Sequence, residues 1–273
     1  KQEILPAIIA WRKDKKSIAF MTEVSINLAD DEELMDMMVR AGFNSVFVGI
    51  ESPNEESLAE CGKGQNRGRN LIENVKRIQK RVKTVAGGYI NRYDREPLAN
   101  YEQQIEFIQK SGIVTAMVGL LQAPRGTQLY ERLKREGRLL GEVTGDNADS
   151  TMNFIPKMNW ETLQEGYHRV LREIYAPESY YARVKTFLQD FNPSPDIQPP
   201  IRLQEIKAFL KTIYLLGIKG VERVQYWKLF FWTLVRRPRL FPLAMTLSVY
   251  GFHFRSIYEL YIRQSPRKNA ETG

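Results

Sequence analysis

Two glutamates stand at the ends of short apolar runs. Ile18-Ala19-Phe20-Met21-Thr22-Glu23-Val24 carries Glu23, and Ser45-Val46-Phe47-Val48-Gly49-Ile50-Glu51-Ser52 carries Glu51. The second run is bounded by Asn44 before it and Pro53-Asn54 after it, which reads as a buried strand of a parallel sheet. In α/β folds the ligand site lies at the carboxyl ends of the strands. A helix is expected to start at Asn54, with Glu55 and Glu56 in its first turn. A carboxylate followed by a capped helix is a candidate ligand contact. The plainer alternatives are a glutamate salt-bridged at the sheet rim for Glu51 and a surface strand-end residue for Glu23.

Other reactive side chains are few. The 273 residues include one cysteine, Cys61, and two histidines, His168 and His253. An internal disulfide, a four-cysteine zinc site and a cysteine-held iron–sulfur cluster are excluded for this chain by arithmetic. No metal ligand set is expected. Neither histidine has a ligand partner at useful spacing; His168 reads as a surface or interface residue, and His253 as a packed member of an aromatic cluster. Gly62-Lys63-Gly64-Gln65-Asn66-Arg67-Gly68 lacks the G-x-x-x-x-G-K-[ST] pattern of a phosphate loop.

The elements that must position Glu23 and Glu51 are legible from periodicity. Strands are predicted at 18–24, 45–50, 84–90 and 113–121. Helices separate them, one of them with Leu71, Ile72, Val75 and Ile78 on one face. Strand and helix alternate at a spacing of roughly 30 residues, which indicates right-handed βαβ units and a parallel sheet. Four strands do not close a barrel. The chain opens on a helix, at 2–15, that should follow a strand. The expected fold class is therefore α/β, a partial parallel (β/α) barrel lacking its first strands, followed by an all-helical C-terminal region. The expected division is 1–140 for four βα units, 141–191 for a loop and helices on the barrel, 192–200 for a proline-rich linker and 201–273 for a helical extension. The first residue is Lys1 rather than Met, and the chain reads as a piece of a longer polypeptide. An unpaired strand edge at 18–24 would make such a piece prone to aggregate.

Charge is distributed unevenly. Residues 201–273 hold 13 Lys/Arg against 4 Asp/Glu, whereas the first 200 hold 27 against 28. This argues for a local anionic partner and against a nucleic-acid-coating protein. No nucleic-acid partner is expected. Residues 226–254 are aromatic and apolar, interrupted by Arg236, Arg237 and Arg239, and fall short of the ~20 apolar residues of a spanning helix. They fit either a helical hairpin packed on the barrel or an interfacial anchor on anionic lipid.

Several stretches together resemble one family. Val48-Gly49-Ile50-Glu51-Ser52-Pro53-Asn54-Glu55-Glu56-Ser57-Leu58, with Lys63-Gly64-Gln65-Asn66, is similar to the central part of cobalamin-dependent radical S-adenosylmethionine (SAM) enzymes. So are Thr22-Glu23-Val24-Ser25-Ile26-Asn27-Leu28, Gln122-Ala123-Pro124-Arg125-Gly126-Thr127 and Asn153-Phe154-Ile155-Pro156-Lys157. Ile174-Tyr175-Ala176-Pro177-Glu178 and Tyr250-Gly251-Phe252-His253-Phe254-Arg255 resemble the helical extension of the subgroup that includes hopanoid methylases.

The resemblance implies a partial barrel whose first strand leads into a CxxxCxxC loop holding a [4Fe-4S] cluster, preceded by a cobalamin-binding domain. It implies a 5′-deoxyadenosyl radical formed from SAM, and a methyl group delivered from methylcobalamin. Carried over by position, Glu23 and Glu51 would contact SAM, with Glu51 on the ribose hydroxyls. Gly88 and Ile90 would face the adenine, and the backbone from Leu120 through Leu121 to Gln122 would read its edge. The departures are equally specific: CxxxCxxC is absent, so this chain alone cannot build the cluster. Arg92 stands where the family places the second glycine of its adenine-binding strand motif, where it would crowd the adenine, strain the turn or swing outward.

The reading is the C-terminal part of a C-methyltransferase acting on an apolar, isoprenoid or lipid-like substrate. The cluster and cobalamin are expected only in the full-length protein, which would be cytoplasmic with peripheral contact at the inner membrane face. The alternative is a non-catalytic membrane-associated or interaction protein on a degenerate barrel.

Overall fold

Four helices of the first half are started by a side chain that satisfies one of their free N–H groups. Asp31 accepts from the Leu34 N–H at 2.9 Å, Asn54 from Glu56 at 3.0 Å, Asn70 from Glu73 at 3.2 Å and Thr127 from Tyr130 at 3.1 Å. A computed structural model describes the chain apart from residues 16–17, 61–62, 83, 92–98, 144, 146–150, 193–202 and 269–273. The expected linker at 192–200 thus lies almost wholly outside the described residues.

The order is α1 (Ile4–Trp11), β1 (Phe20–Val24), α2 (Glu32–Ala41), β2 (Phe43–Glu51), α3 (Glu55–Glu60), α4 (Leu71–Gln79), β3 (Thr84–Asn91), α5 (Ala99–Ser111), β4 (Thr115–Leu120) and α6 (Gln128–Arg135). Then follow α7 (Trp160–Tyr175), α8 (Pro177–Asp190), α9 (Leu203–Thr212), a π-helix (Ile213–Lys219), α10 (Arg223–Arg236) and α11 (Phe241–Lys268). The four strands form one parallel sheet in the order β1-β2-β3-β4. The expected partial α/β barrel followed by a helical region is the fold observed.

Strand alternation gives the sheet two unlike faces. Val46, Val48 and Ile50 of β2, Val85 and Tyr89 of β3, and Ala116 and Val118 of β4 are buried in the core. On the opposite face the paired rows are Glu23–Phe47–Ala86–Thr115 and Gly49–Gly88–Met117, with Ile90 beside Gly119. This second face is the open one: Glu23 is exposed, and so is Met117.

The two edges of the sheet also differ. No strand pairs with the outer edge of β1 among the described residues. At β4, the carbonyls of Val114, Ala116 and Val118 accept from Arg183, Tyr175 and Tyr167 at 3.3, 2.7 and 3.3 Å. Burial pushes the Tyr175 phenol up to about 12, so it stays a donor at any ordinary pH.

The C-terminal helices pack on α7 and α8. Tyr180 Oη donates to the Leu247 carbonyl at 2.6 Å, and its ring lies so close to Gly251 that a Cβ there would collide with it. Phe254 stacks on Tyr175 with ring centroids 5.4 Å apart. Arg255 is buried and pairs with buried Glu222 at 2.6 Å, joining α11 to the start of α10. The run at 250–255 is therefore a packing seam with alternating sides, because its Tyr250, Phe252 and His253 are exposed. His253 touches Phe254 edge-on rather than sitting inside a cluster. Residues 226–254 lie in a helical hairpin, with Tyr226, Leu229, Ala244 and Leu247 in the core and Phe231, Leu234 and Val235 exposed.

Candidate functional site

The last residues of β2 depart from a regular strand. Gly49 pairs with Gly88, but Glu51, not Ile50, is the next residue matched to β3. One extra residue in β2 makes a bulge, which bends the strand and redirects its side chains. Glu51 then takes φ 64, and no other described non-glycine residue has positive φ. A long side chain in the left-handed region costs about 1–2 kcal/mol, and such residues concentrate at functional sites.

This conformation brings the Glu51 carboxylate back over its own strand. Its Oε1 lies 2.8 Å from Lys63 Nζ. A Cβ placed on Gly49 would sit 2.9 Å from that oxygen and 3.3 Å from the ammonium, so a larger residue there would make the pair shift. The carboxylate is 12% exposed and lies on the open face of the sheet. Asn66 fixes the turn that delivers Lys63: its Nδ2 donates to the Gly49 and Ile50 carbonyls, both at 3.0 Å. Asn66 Oδ1 is buried and has no hydrogen-bond partner. The rim salt bridge read as the plain alternative is present, and it lies on the open face of the sheet.

The other expected contacts are distributed around this point. Glu23 is exposed on β1 beside Phe47, without an ion pair among the described residues. Gly88 neighbours Gly49, but Phe47 covers it: a Cβ on Gly88 would meet the ring at 2.7 Å. Ile90 shares the face and is half-buried. Leu120 turns to the core side and is 6% exposed, so only its main chain remains for an edge contact. Leu121 and Gln122 are half-buried just beyond the strand.

A second clamp holds that loop. Asn153 Oδ1 accepts from the Ala123 N–H at 2.8 Å, and its Nδ2 donates to the Ala123 carbonyl at 2.8 Å. Gln122 Nε2 donates to the Thr151 carbonyl at 2.7 Å, leaving its Oε1 buried without a partner. Two motifs 30 residues apart thus form one loop-and-clamp unit at the carboxyl end of β4. Asn153→Leu is expected to orphan both Ala123 groups, lower stability by about 1–3 kcal/mol and raise amide exchange at 121–126. Urea unfolding and hydrogen exchange check this; unchanged exchange would deny the clamp its role.

Lys63, Asn66 and Asn153 carry no sign of a site role in the sequence beyond lying within the motif stretches. Arg92 and Cys61 lie outside the described residues. His168, expected at the surface, is half-buried on α7, and its Nε2 has no hydrogen-bond partner. Burial and then Arg172 push its pKa down, so it stays neutral near pH 7.

Residues 127–266 match a family described as a domain of unknown function, DUF4070. The chain belongs to that family. Over 265 residues this DUF4070 chain is 34% identical to an uncharacterized methyltransferase of Synechocystis sp., covering 96% of the chain and 49% of that protein. It is 27% identical over 242 residues to the hopanoid C-2 methylase of Rhodopseudomonas palustris, covering 86% and 45%. It is 25% identical over 173 residues to the bacteriochlorophyllide d C-12(1)-methyltransferase of Chlorobaculum tepidum, covering 63% and 37%. The DUF4070 chain spans about half the length or less of these relatives. The resemblance to cobalamin-dependent radical SAM enzymes of the hopanoid-methylase-like subgroup is borne out at the level of family.

The residues present fit SAM better than they fit the metal groups. The Glu51 carboxylate offers two acceptors beside Gly49, which suits the adjacent hydroxyls of a ribose. One cysteine does not make a cluster loop, and no group of three or more His, Cys, Asp or Glu able to hold a metal occurs among the described residues. The described residues of the DUF4070 chain therefore offer the cluster no ligand set.

Proposed function

We propose that this chain supplies the SAM-holding face of a radical SAM methyltransferase acting on an apolar substrate. The observation that carries the reading is Glu51: a strained glutamate on a bulge, its carboxylate laid over Gly49 at the carboxyl end of the sheet. SAM held there would supply the 5′-deoxyadenosyl chemistry that the family resemblance implies. This chain's residues bind and orient it. Glu51 accepts from the ribose hydroxyls, Lys63 holds the carboxylate in place, and Ile90 with Phe47 gives an apolar surface for the adenine. The Asn153 clamp fixes the loop from Leu121 to Ala123 at the adenine edge. The methylases of hopanoids and bacteriochlorophyllides among the relatives support a large, largely apolar methyl acceptor.

Glu51→Gly separates binding from rim stability. It removes the left-handed strain and the partly buried ion pair with Lys63 together, two effects of opposite sign, so unfolding free energy should stay within about 1 kcal/mol of the parent. SAM affinity should fall about tenfold to a hundredfold, the worth of a charge-assisted contact. Equilibrium dialysis with SAM and urea unfolding give the two numbers. A parent chain that does not bind SAM, or a Glu51→Gly chain that binds it equally well, would sink the proposal.

A further inference from the structure

Ile206, Leu210, Tyr214, Ile218 and Val221 are between 46% and 80% exposed. The first four recur at every fourth residue, from α9 into the π-helix. In a regular α-helix such a row advances about 40° around the axis at each step. The wider i→i+5 turns of the π-helix carry it back, so the four side chains stay on one stripe. A seven-residue π-helix is rare and persists mostly where a function needs it. Here Trp227 Nε1 donates to the Gly217 carbonyl at 2.9 Å, and Leu216 and Gly217 are buried. The inner side is thereby fixed and the apolar stripe faces outward.

The flanks of the stripe are basic. Lys207, Lys211 and Lys219 each follow a stripe residue directly and are exposed, and Lys219 Nζ lies 4.9 Å above the Tyr214 ring. Residues 206–262 contain two carboxylates, Glu222 and Glu259, and both lie against Arg255, at 2.6 and 3.9 Å. No carboxylate pairs with Lys207 or Lys211 among the described residues. No helix among the described residues is long and apolar enough to cross a membrane. Apolar side chains that can enter an acyl boundary, beside ammonium groups that remain at phosphate level, match one kind of surface.

We propose that the outer face of α9 and the π-helix docks, side-on, on an anionic phospholipid bilayer. The charge complementarity selects this occupant: α9 and the π-helix carry three lysines, Lys207, Lys211 and Lys219, against one carboxylate, Glu205, a basic balance that suits an anionic surface. The contact lies upstream of the 226–254 run, in which Tyr226, Leu229, Leu240, Ala244, Met245 and Leu247 are buried while Phe231, Leu234, Val235 and Tyr250 are exposed. The proposal is independent of whether the sheet binds SAM.

Flotation with vesicles of phosphatidylcholine containing phosphatidylglycerol, against phosphatidylcholine alone, tests it on the full chain. The parent should float with the anionic vesicles at low salt and be released at high salt. Lys207→Glu combined with Lys211→Glu should weaken binding about tenfold or more, near the worth of each basic residue at such a surface. Leu210→Ser combined with Ile218→Ser should abolish flotation while leaving the circular-dichroism melt unchanged, since both positions are exposed. Failure to float, or flotation indifferent to the stripe variants, would overturn the proposal. So would self-association of the parent that Leu210→Ser removes, because a second copy would then be the occupant. Flotation that disappears when the chain is joined within a longer polypeptide would also overturn it, because another segment would cover the face.

Discussion

Arg183→Ala is expected to lower stability by about 3–5 kcal/mol, a large share of the 5–15 kcal/mol that holds a typical domain folded. Arg183 is 1% exposed on α8 and has no carboxylate partner among its contacts. Its guanidinium donates to Gln109 Oε1 at the end of α5 and to the Val114 carbonyl at the start of β4. It lies over the rings of Tyr180 and Tyr175, at 5.2 and 5.9 Å. Burial pushes its pKa below the usual arginine value, and the tyrosines oppose that. The alanine variant leaves two buried acceptors unmatched and a cavity where three elements meet. Arg183→Met fills the volume and removes the buried charge, so its cost should be less than half that of alanine. Urea unfolding of both variants decides the matter. Equal costs would mean that the two hydrogen bonds, rather than the volume, hold the joint.

The second large effect is expected at Glu222 and Arg255, which are 1% and 7% exposed. Arg255→Met leaves the Glu222 carboxylate buried without its cation and should cost about 3–5 kcal/mol. Replacing both, as Glu222→Leu with Arg255→Met, should recover most of that loss, because two desolvated charges leave together. Thermal melts of the single and double variants give the coupling directly. The single variant should also release the α10–α11 hairpin first, seen as early proteolysis after residue 220. Additive losses would show that each residue acts through its own packing and not through the pair.

Much of this architecture is written in local pattern. The run at 45–50 becomes β2, and Leu71, Val75 and Ile78 face the core as their spacing demands. Asp31 and Asn54 cap helices where an acceptor is needed. What local pattern does not carry is the side-chain grip across distance. Asn66 reaches Gly49 and Ile50, Asn153 reaches Ala123, and Arg183 reaches Val114, each by a hydrogen bond with no periodic trace in the sequence. Nor does apolar composition state which way a helix faces. The most aromatic stretch, at 226–254, divides, with Leu229 and Leu247 turned inward and Phe231, Val235 and Tyr250 outward, and Ile206, Leu210 and Ile218 upstream turn outward as well. The strain at Glu51 is equally silent in the sequence, because a bulge is decided by the register of two strands and not by one.

The unequal edges of the sheet set a limit on how copies of the chain can associate. A cross-β stack grows because every added molecule offers a fresh strand on its far side. Here the far side is sealed: two phenols and a guanidinium already occupy the carbonyls of Val114, Ala116 and Val118. Pairing through β1 consumes the bare rim of both partners and leaves nothing to template a third. Among the described strands, exchange through β1 would therefore stop at a two-fold pair, because β4 offers no free row of these carbonyls.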